Sequence, residues 1–181
     1  MRLEPLNESH AESLAKHAQM ELFRHFTTIR PPSIDTAGLK FFIDTLSRQP
    51  EVVAFATVLR ETGEAIGSTT FMDIRPQHRG LEIGMTWISK AHQRTKVNPE
   101  AKWLMLRHAF EKLGCERVQL KCDARNLQSQ AAITKLGAKF EGRLRKHIVL
   151  PDGFVRDTMM YSIIGEEWPL VDAGLRARLE V

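Results

Sequence analysis

The stretch from Glu82 to Leu113 carries the residues whose order points to ligand chemistry: EIGMTWIS, then the polar KAHQRTKVN, then PEAKWLMLRHAFEKL. It reads as a strand, a loop and a helix. A helix that starts just past a strand presents unpaired backbone N–H groups and the positive end of its dipole, a seat for phosphate. Asn98 suits the N-cap, and Pro99 suits the first helical position, where its missing N–H costs nothing. The chemistry expected there is the grip of a coenzyme's diphosphate. Metal chemistry is not expected. The seven histidines show no HExxH or paired-ligand spacing. Cys115 and Cys122 flank a strand without forming a CxxC pair, and read as reduced structural thiols.

The elements that must position this seat can be taken in order. Arg2–Leu6 reads as a short strand. Ser9 with Glu12 reads as a capping box for a helix to about Met20. Asp35 suits the cap of a second helix to about Ser47, with Leu39, Phe42, Ile43 and Leu46 as its apolar stripe. Glu51–Arg60 and Ala65–Ile74 form a hairpin around Glu61–Glu64. Glu82–Ser89 is the next strand, and Gly114 stops the long helix. Arg117–Ala124 alternates as a half-buried strand. Asn126 suits the cap of a short helix, Leu127–Leu136, closed by Gly137. Lys139–Leu150 and Val155–Ile164 are strands joined by a Pro151-Asp152-Gly153 turn. Residues 165–181 read as a short terminal helix. The order is β-α-α-β-β-β-α-β-α-β-β, an α/β (α+β) chain with a mixed sheet. With no repeat and no linker, one domain over residues 1–181 is expected.

Composition bounds the class. The chain has 181 residues, 43% hydrophobic and 27% charged, enough for a real core in an ordinary globular protein. No apolar run approaches the ~20 residues that span a bilayer. The beginning, MRLEPLNESH, lacks the apolar centre of a signal peptide. A cytoplasmic protein with no membrane partner is expected. The net charge of +4 admits nucleic acid, a ribosomal surface or a phosphorylated cofactor as partner, without choosing among them. No RNA-binding motif or aromatic stacking platform stands out, so nucleic acid is not expected. Arg143, Arg145 and His147, in a run with Lys146, fall on one strand face by alternation. They form either a solvated face or a contact surface. The oligomeric state stays open, a homodimer included.

The element order and three stretches of sequence resemble the GNAT superfamily of N-acetyltransferases, in its RimJ/RimL-like branch. The first stretch is Gln93-Arg94-Thr95-Lys96-Val97-Asn98, at the place of the family's Q/R-x-x-G-x-G/A loop. The second is Asp123-Ala-Arg-Asn126-Leu-Gln-Ser129 with Lys135-Leu136-Gly137-Ala138, matching N-x-x-S/A…K-x-G. The third is Glu141-Gly142-Arg143-Leu144-Arg145, then LPDG and VRDTMMYSII. The chain departs from the family at Lys96 and Asn98, where glycines let the backbone approach phosphate and take positive φ. Lys96 fits such a conformation poorly, though its ammonium can reach phosphate directly.

The resemblance implies a central, mostly antiparallel twisted sheet of about seven strands with about four helices. It implies transfer of acetyl from acetyl-CoA, as co-substrate, to a primary amine of a protein N-terminus or small molecule. Attack would be direct, with no metal. Trp87 and Ile88 would border a splay between two strands, where a backbone N–H polarises the thioester carbonyl. Gln93, Arg94, Thr95, Lys96, Val97, Asn98, Asn126, Ser129 and Lys135 would contact the coenzyme. Glu82 is the candidate base, through water, or else a salt-bridged edge carboxylate. The family's tyrosine for the leaving thiolate falls at Ile133 and is absent; Ser129 is the candidate in its place, or else a first-turn capping residue. The missing glycines and tyrosine keep a second reading alive: a CoA-binding regulator or basic interaction module without turnover.

Overall fold

The computed structural model describes residues 1–27, 29–150 and 152–180. Its strands are β1 (Arg2–Pro5), β2 (Val53–Val58), β3 (Ala65–Arg75), β4 (Gly80–Ile88), β5 (Arg117–Asp123), β6 (Lys139–Val149) and β7 (Val155–Ile164). Its α-helices are α1 (Ala11–His17), α2 (Thr36–Ser47), α3 (Val97–Glu111), α4 (Leu127–Lys135) and α5 (Trp168–Leu179). The strands form one seven-stranded sheet in the order β1-β2-β3-β4-β5-β7-β6. Neighbours are antiparallel except β4 and β5, which run parallel. The expected mixed, mostly antiparallel architecture is the one found, with the terminal segment as a fifth helix.

Two apolar cores sandwich the sheet. On one face α3, α4 and α5 pack Met105, Leu106, Ile133 and Leu175 against Leu81, Ile83, Val118 and Leu120. On the other, α1 and α2 pack Leu14, Leu39 and Phe42 against Ala56, Val58 and Trp87. The Asp35 carboxylate accepts from the Gly38 amide at 2.7 Å and caps α2.

β4 changes faces along its length. Between Gly84 and Trp87 it carries one more residue than the facing stretch of β3, and Met85 sits at φ +45°. An inserted residue reverses the side-chain alternation. Leu81 and Ile83 therefore face α3, whereas Met85 and Trp87 face α1 and α2.

Three local expectations are corrected. Asn7, not Ser9, caps the first helical turn: its Oδ1 accepts from the Ser9 amide at 3.0 Å. α1 stops at His17, and Met20–Phe23 forms a separate 3₁₀ turn instead of continuing it. In the long helix, α3 starts at Val97, so Asn98 lies inside the first turn and caps nothing. Thr95 Oγ1 accepts from the Val97 amide at 3.3 Å and does the local work there. The Pro151 part of the last hairpin turn lies outside the described residues; Asp152 and Gly153 do turn, with Gly153 at φ +82°.

Lys102 is the conspicuous exception in the α3 core. It is 5% exposed, and its ammonium donates to Thr86 Oγ1 at 2.6 Å and Thr69 Oγ1 at 3.1 Å. Burial pushes its pKa down to about 7. An unfolded lysine binds its proton below about 10.4. The folded state therefore loses stability as pH falls from about 10 to 7, on the order of 5 kcal/mol, and no more below. Lys102→Met is expected to raise the Tm at pH 7 by several degrees and by clearly less at pH 10. Thermal unfolding at both values checks the sign.

Candidate active site

β4 and β5 pair over only three positions: Gly80 with Arg117, Leu81 with Val118 and Glu82 with Gln119. Both strands continue beyond that point, to Ile88 and to Asp123. The sheet therefore forks. Along the far arm β4 bonds only to β3, and its other edge is open.

The ladder fixes which groups face the opening. The Ser89 amide donates to Ile66 O at 2.8 Å, so residue 89 faces β3. Trp87, two residues back and opposite Ser68, faces the same way. Alternation turns the Ile88 N–H and C=O to the open edge. The Ile88 carbonyl accepts from Gln93 Nε2 at 3.2 Å, which leaves the Ile88 N–H as the donor at the fork. The Trp87 ring is 3% exposed and lies 5.1 Å from the Phe23 ring, within the α1–α2 core.

At the open end of the fork, the loop into α3 lines a cleft of about 270 Å³ with Arg94, Thr95, Lys96 and Pro99. The other wall is Arg178 and Leu179 from the end of α5. Arg94 takes the positive φ, +63°. Lys96 has φ −68° and ψ −12°, ordinary helical values, so no glycine is needed at its place. The expected poor fit of Lys96 is thereby corrected. Its ammonium lies against Glu180 Oε2 at 3.1 Å and Leu179 O at 3.4 Å, at the cleft wall. Asn98 Oδ1 is buried without a partner. Arg94, Lys96 and Arg178 together give the cleft a cationic lining suited to phosphate.

On the β5 side, Asn126 caps α4 by accepting from the Ser129 amide at 3.1 Å. The Ser129 hydroxyl also contacts the Cys122 thiol; burial raises that thiol's pKa and the Ser129 hydrogen bond partly offsets it. Gln128 Nε2 donates to Gln93 Oε1 at 3.1 Å and so links α4 to the loop before α3. Lys135 ends α4 with an exposed side chain. Its carbonyl accepts from Arg178 Nη1, which joins it to the cleft wall.

Glu82 sits at the crotch of the fork, 1% exposed. Its Oε2 meets Lys121 Nζ at 2.9 Å and Gln119 Nε2 at 3.0 Å. The structure thus gathers Glu82, Ile88, Asn126 and Ser129 around the fork, and residues 93–98 at its mouth. The basic run is not one continuous face. β6 carries two extra residues relative to β7 between Leu144 and Ile148, Lys146 has φ +49°, and Arg143 is tied to Asp157.

Two groups escaped the sequence reading. One is Arg178 with Leu179, which only the docking of α5 brings to the cleft. The other is a buried cluster at the end of β5. Asp123, 1% exposed, accepts from the Arg125 amide at 2.8 Å, from its Nε at 3.0 Å and from its Nη2 at 2.7 Å. Burial alone would raise the Asp123 pKa; the Arg125 hydrogen bonds and the charges of Arg125 and Arg156 overcome it and hold it at about 2.

The acetyltransferase (GNAT) domain family matches residues 1–139. The chain belongs to the GNAT acetyltransferases. A solved protein from T. thermophilus, provisionally described as an acetyltransferase, is 41% identical, with a TM-score of 0.90 over 98% of this chain and 93% of its own. A GCN5-related N-acetyltransferase from Brucella melitensis is 29% identical, with a TM-score of 0.88 over 97% of this chain and 80% of its own. YdaF of Bacillus subtilis (strain 168), provisionally named a ribosomal N-acetyltransferase, is 25% identical over 92% of this chain and 90% of its own. This GNAT chain is thus an acetyltransferase enzyme. Among the described residues no group of three or more His, Cys, Asp or Glu side chains could hold a metal ion, and no helix is long and apolar enough to cross a membrane.

The Asp123 cluster sets an acid limit on stability. The folded carboxyl ionises at about 2, the unfolded one near 3.9. Its contribution is complete above about pH 5 and is lost as pH falls through 2, roughly 2–3 kcal/mol in all. Urea denaturation at pH 5 and pH 2.5 is expected to show this loss in the wild type, with a smaller pH-dependent loss in Asp123→Asn.

Proposed function

We propose that this GNAT acetyltransferase moves the acetyl group of acetyl-CoA to a primary amine, on a protein N-terminus or small molecule, by direct attack. The observation that carries this reading is the fork: an unpaired Ile88 N–H on the open edge of β4, with a cationic cleft at its mouth. Acetyl-CoA, the co-substrate, would supply an activated thioester. Arg94, Lys96 and Arg178 would hold its phosphates, together with the backbone amides of Thr95, Val97 and Asn98 and the side chains of Thr95 and Asn98 at the start of α3. Gln93 and Lys135 would border the coenzyme on either side. To reach phosphate, Lys96 exchanges Glu180 for the ligand. The Ile88 N–H would donate to the thioester oxygen as negative charge grows there, while the Trp87 ring fixes the strand from the core. Asn126 holds the start of α4 so that the Ser129 hydroxyl, beside Cys122, can donate to the leaving sulfur. A thiol pKa near 8.5 makes full proton transfer from serine unnecessary.

An α-amine, with a pKa near 8, is partly neutral at physiological pH, whereas a lysine amine near 10.4 is not. Weak base assistance therefore favours an α-amine acceptor. Glu82, the candidate base in the sequence, is held by Lys121 and Gln119 and would act through water only after both release its carboxylate. The ribosomal acceptor in the name of YdaF points the same way. The RimJ structure of Mycobacterium smegmatis, which holds CoA-disulfide, shares the fold at 20% identity and a TM-score of 0.79 over 98% of this chain. A cytoplasmic enzyme of one domain, with no membrane or nucleic-acid partner, fits this reading; a homodimer is compatible with it.

Calorimetry with CoA and a thiol-release assay against dipeptides, ribosomal-protein N-terminal peptides and small amines test the proposal. Micromolar CoA binding, turnover with at least one amine and about tenfold weaker CoA binding in Asn126→Ala are expected. Binding without turnover on any amine would favour a regulator instead; no binding at millimolar CoA would overturn both.

A further inference from the structure

The segment after α1 bridges the fork. Phe23 packs on Trp87 of β4, while two residues on, His25 lies over the end of β5. The His25 carbonyl accepts from Arg156 Nη1 at 3.4 Å, so the turn is also anchored on β7, the strand paired with β5. The imidazole is set at the boundary between a cleft and a buried carboxylate. The cleft, about 370 Å³, is lined by Arg24, His25, Arg125, Leu150 and Asp152. Behind the ring, His25 Nδ1 is buried without a hydrogen-bond partner, 3.7 Å from Asp123 Oδ2.

The ring's protonation follows from its contacts. Arg24 Nε donates to His25 Nε2 at 3.1 Å, so Nε2 carries a lone pair and the ring proton sits on Nδ1, facing Asp123. The lone pair thus already accepts from a cationic N–H. Arg24 is exposed, with its Nη1 against Glu21 Oε1 at 3.4 Å, a surface pair that can hold it when it leaves the ring, and the N–H of a substrate ammonium is a chemical match for the donor it removes. Glu82, by contrast, is engaged by Lys121 and Gln119.

From this geometry we infer that His25 is the catalytic base, with Asp123 as its positioning residue. The inference rests on the acetyl-transfer reading above. His25 Nε2 takes the first proton from the entering ammonium and passes it to solvent at the Arg24 side of the cleft. The neutral nitrogen then forms its bond to the acetyl carbon, and the carbon–sulfur bond breaks. The second nitrogen proton ends on the sulfur, so ammonium and thioester give amide, thiol and one released proton.

The groups facing the ring are Arg24 on its own segment, Asp123 on β5, Arg125 in the turn after it, Arg156 on β7 and Asp152 across the cleft. Burial lowers the His25 pKa; Asp123 opposes the shift, and Arg24, Arg125 and Arg156 reinforce it. The ring is therefore neutral, and able to accept a proton, through the physiological range.

The test compares His25→Gln with Glu82→Gln, using the best acceptor from the amine panel. His25→Gln is expected to lower kcat about 100-fold, to leave calorimetric CoA binding unchanged and to remove the acid limb of the pH profile below 6.5. Added imidazole is expected to restore part of the rate to His25→Ala. Independently of turnover, nitrogen NMR of the wild type should show the His25 ring as the Nδ1–H tautomer, titrating below 6.5. Normal kcat in His25→Gln, or an Nε2–H tautomer, overturns the assignment while leaving acetyl transfer standing. A wild type that turns over no amine removes the acetyl-transfer reading, and this inference with it.

Discussion

The parting of β4 from β5 after Glu82 and Gln119 is the constraint on which the site depends. A sheet interior normally leaves no free N–H, because each is satisfied by the neighbouring strand. Here two parallel strands separate, and an open edge lies inside the sheet instead of at its margin. The inserted residue at Met85 falls on the diverging arm of β4. It turns Met85 and Trp87 into the α1–α2 core and so anchors β4 without β5. The same device leaves the Ile88 N–H aimed into the gap.

The surroundings are consistent with that opening. α3 starts at the far end of the gap from β4, α4 starts beside the end of β5, and α5 closes the outer wall of the cationic cleft. The Met20–Phe26 segment lies over the opposite face and brings His25 to Asp123. One end of the gap is thus suited to anions, while the other presents a carboxylate held ionised by arginines beside a neutral imidazole. Charged coenzyme and amine would enter from different directions and meet at the open edge.

Much of this was legible in the sequence because it is local. Asp35 and Asn126 were recognisable as caps, since each sits just before an apolar helical pattern and needs only its own amides. The order of strands and helices followed from alternation and turn residues. Where reading failed, two local options competed. Asn98 and Thr95 could both satisfy the start of α3, and the chain uses Thr95. Ser9 and Asn7 competed in the same way. Lys96 looked like a misfit for a glycine-dependent loop, but the left-handed residue is Arg94, a choice no spacing rule predicts.

The remaining site features were not legible because they are made by tertiary contact. His25 and Asp123 lie far apart in the chain, and neither sits in a pattern that names the other. Arg178 reaches the cleft only because α5 packs on α3. The bulge at Met85 is marked only by the preceding Gly84, which does not say which residue is inserted or which way the strand turns. The fork itself is a matter of where pairing stops, which alternation along one strand does not encode. Hydrogen exchange at two neighbouring amides tests the fork most directly. The Ile88 amide is expected to exchange rapidly in the free protein and to slow at least tenfold with saturating acetyl-CoA, while the Ser89 amide, bonded to Ile66, stays slow in both. An Ile88 amide already protected without ligand, or one that acetyl-CoA leaves unprotected, would contradict the account.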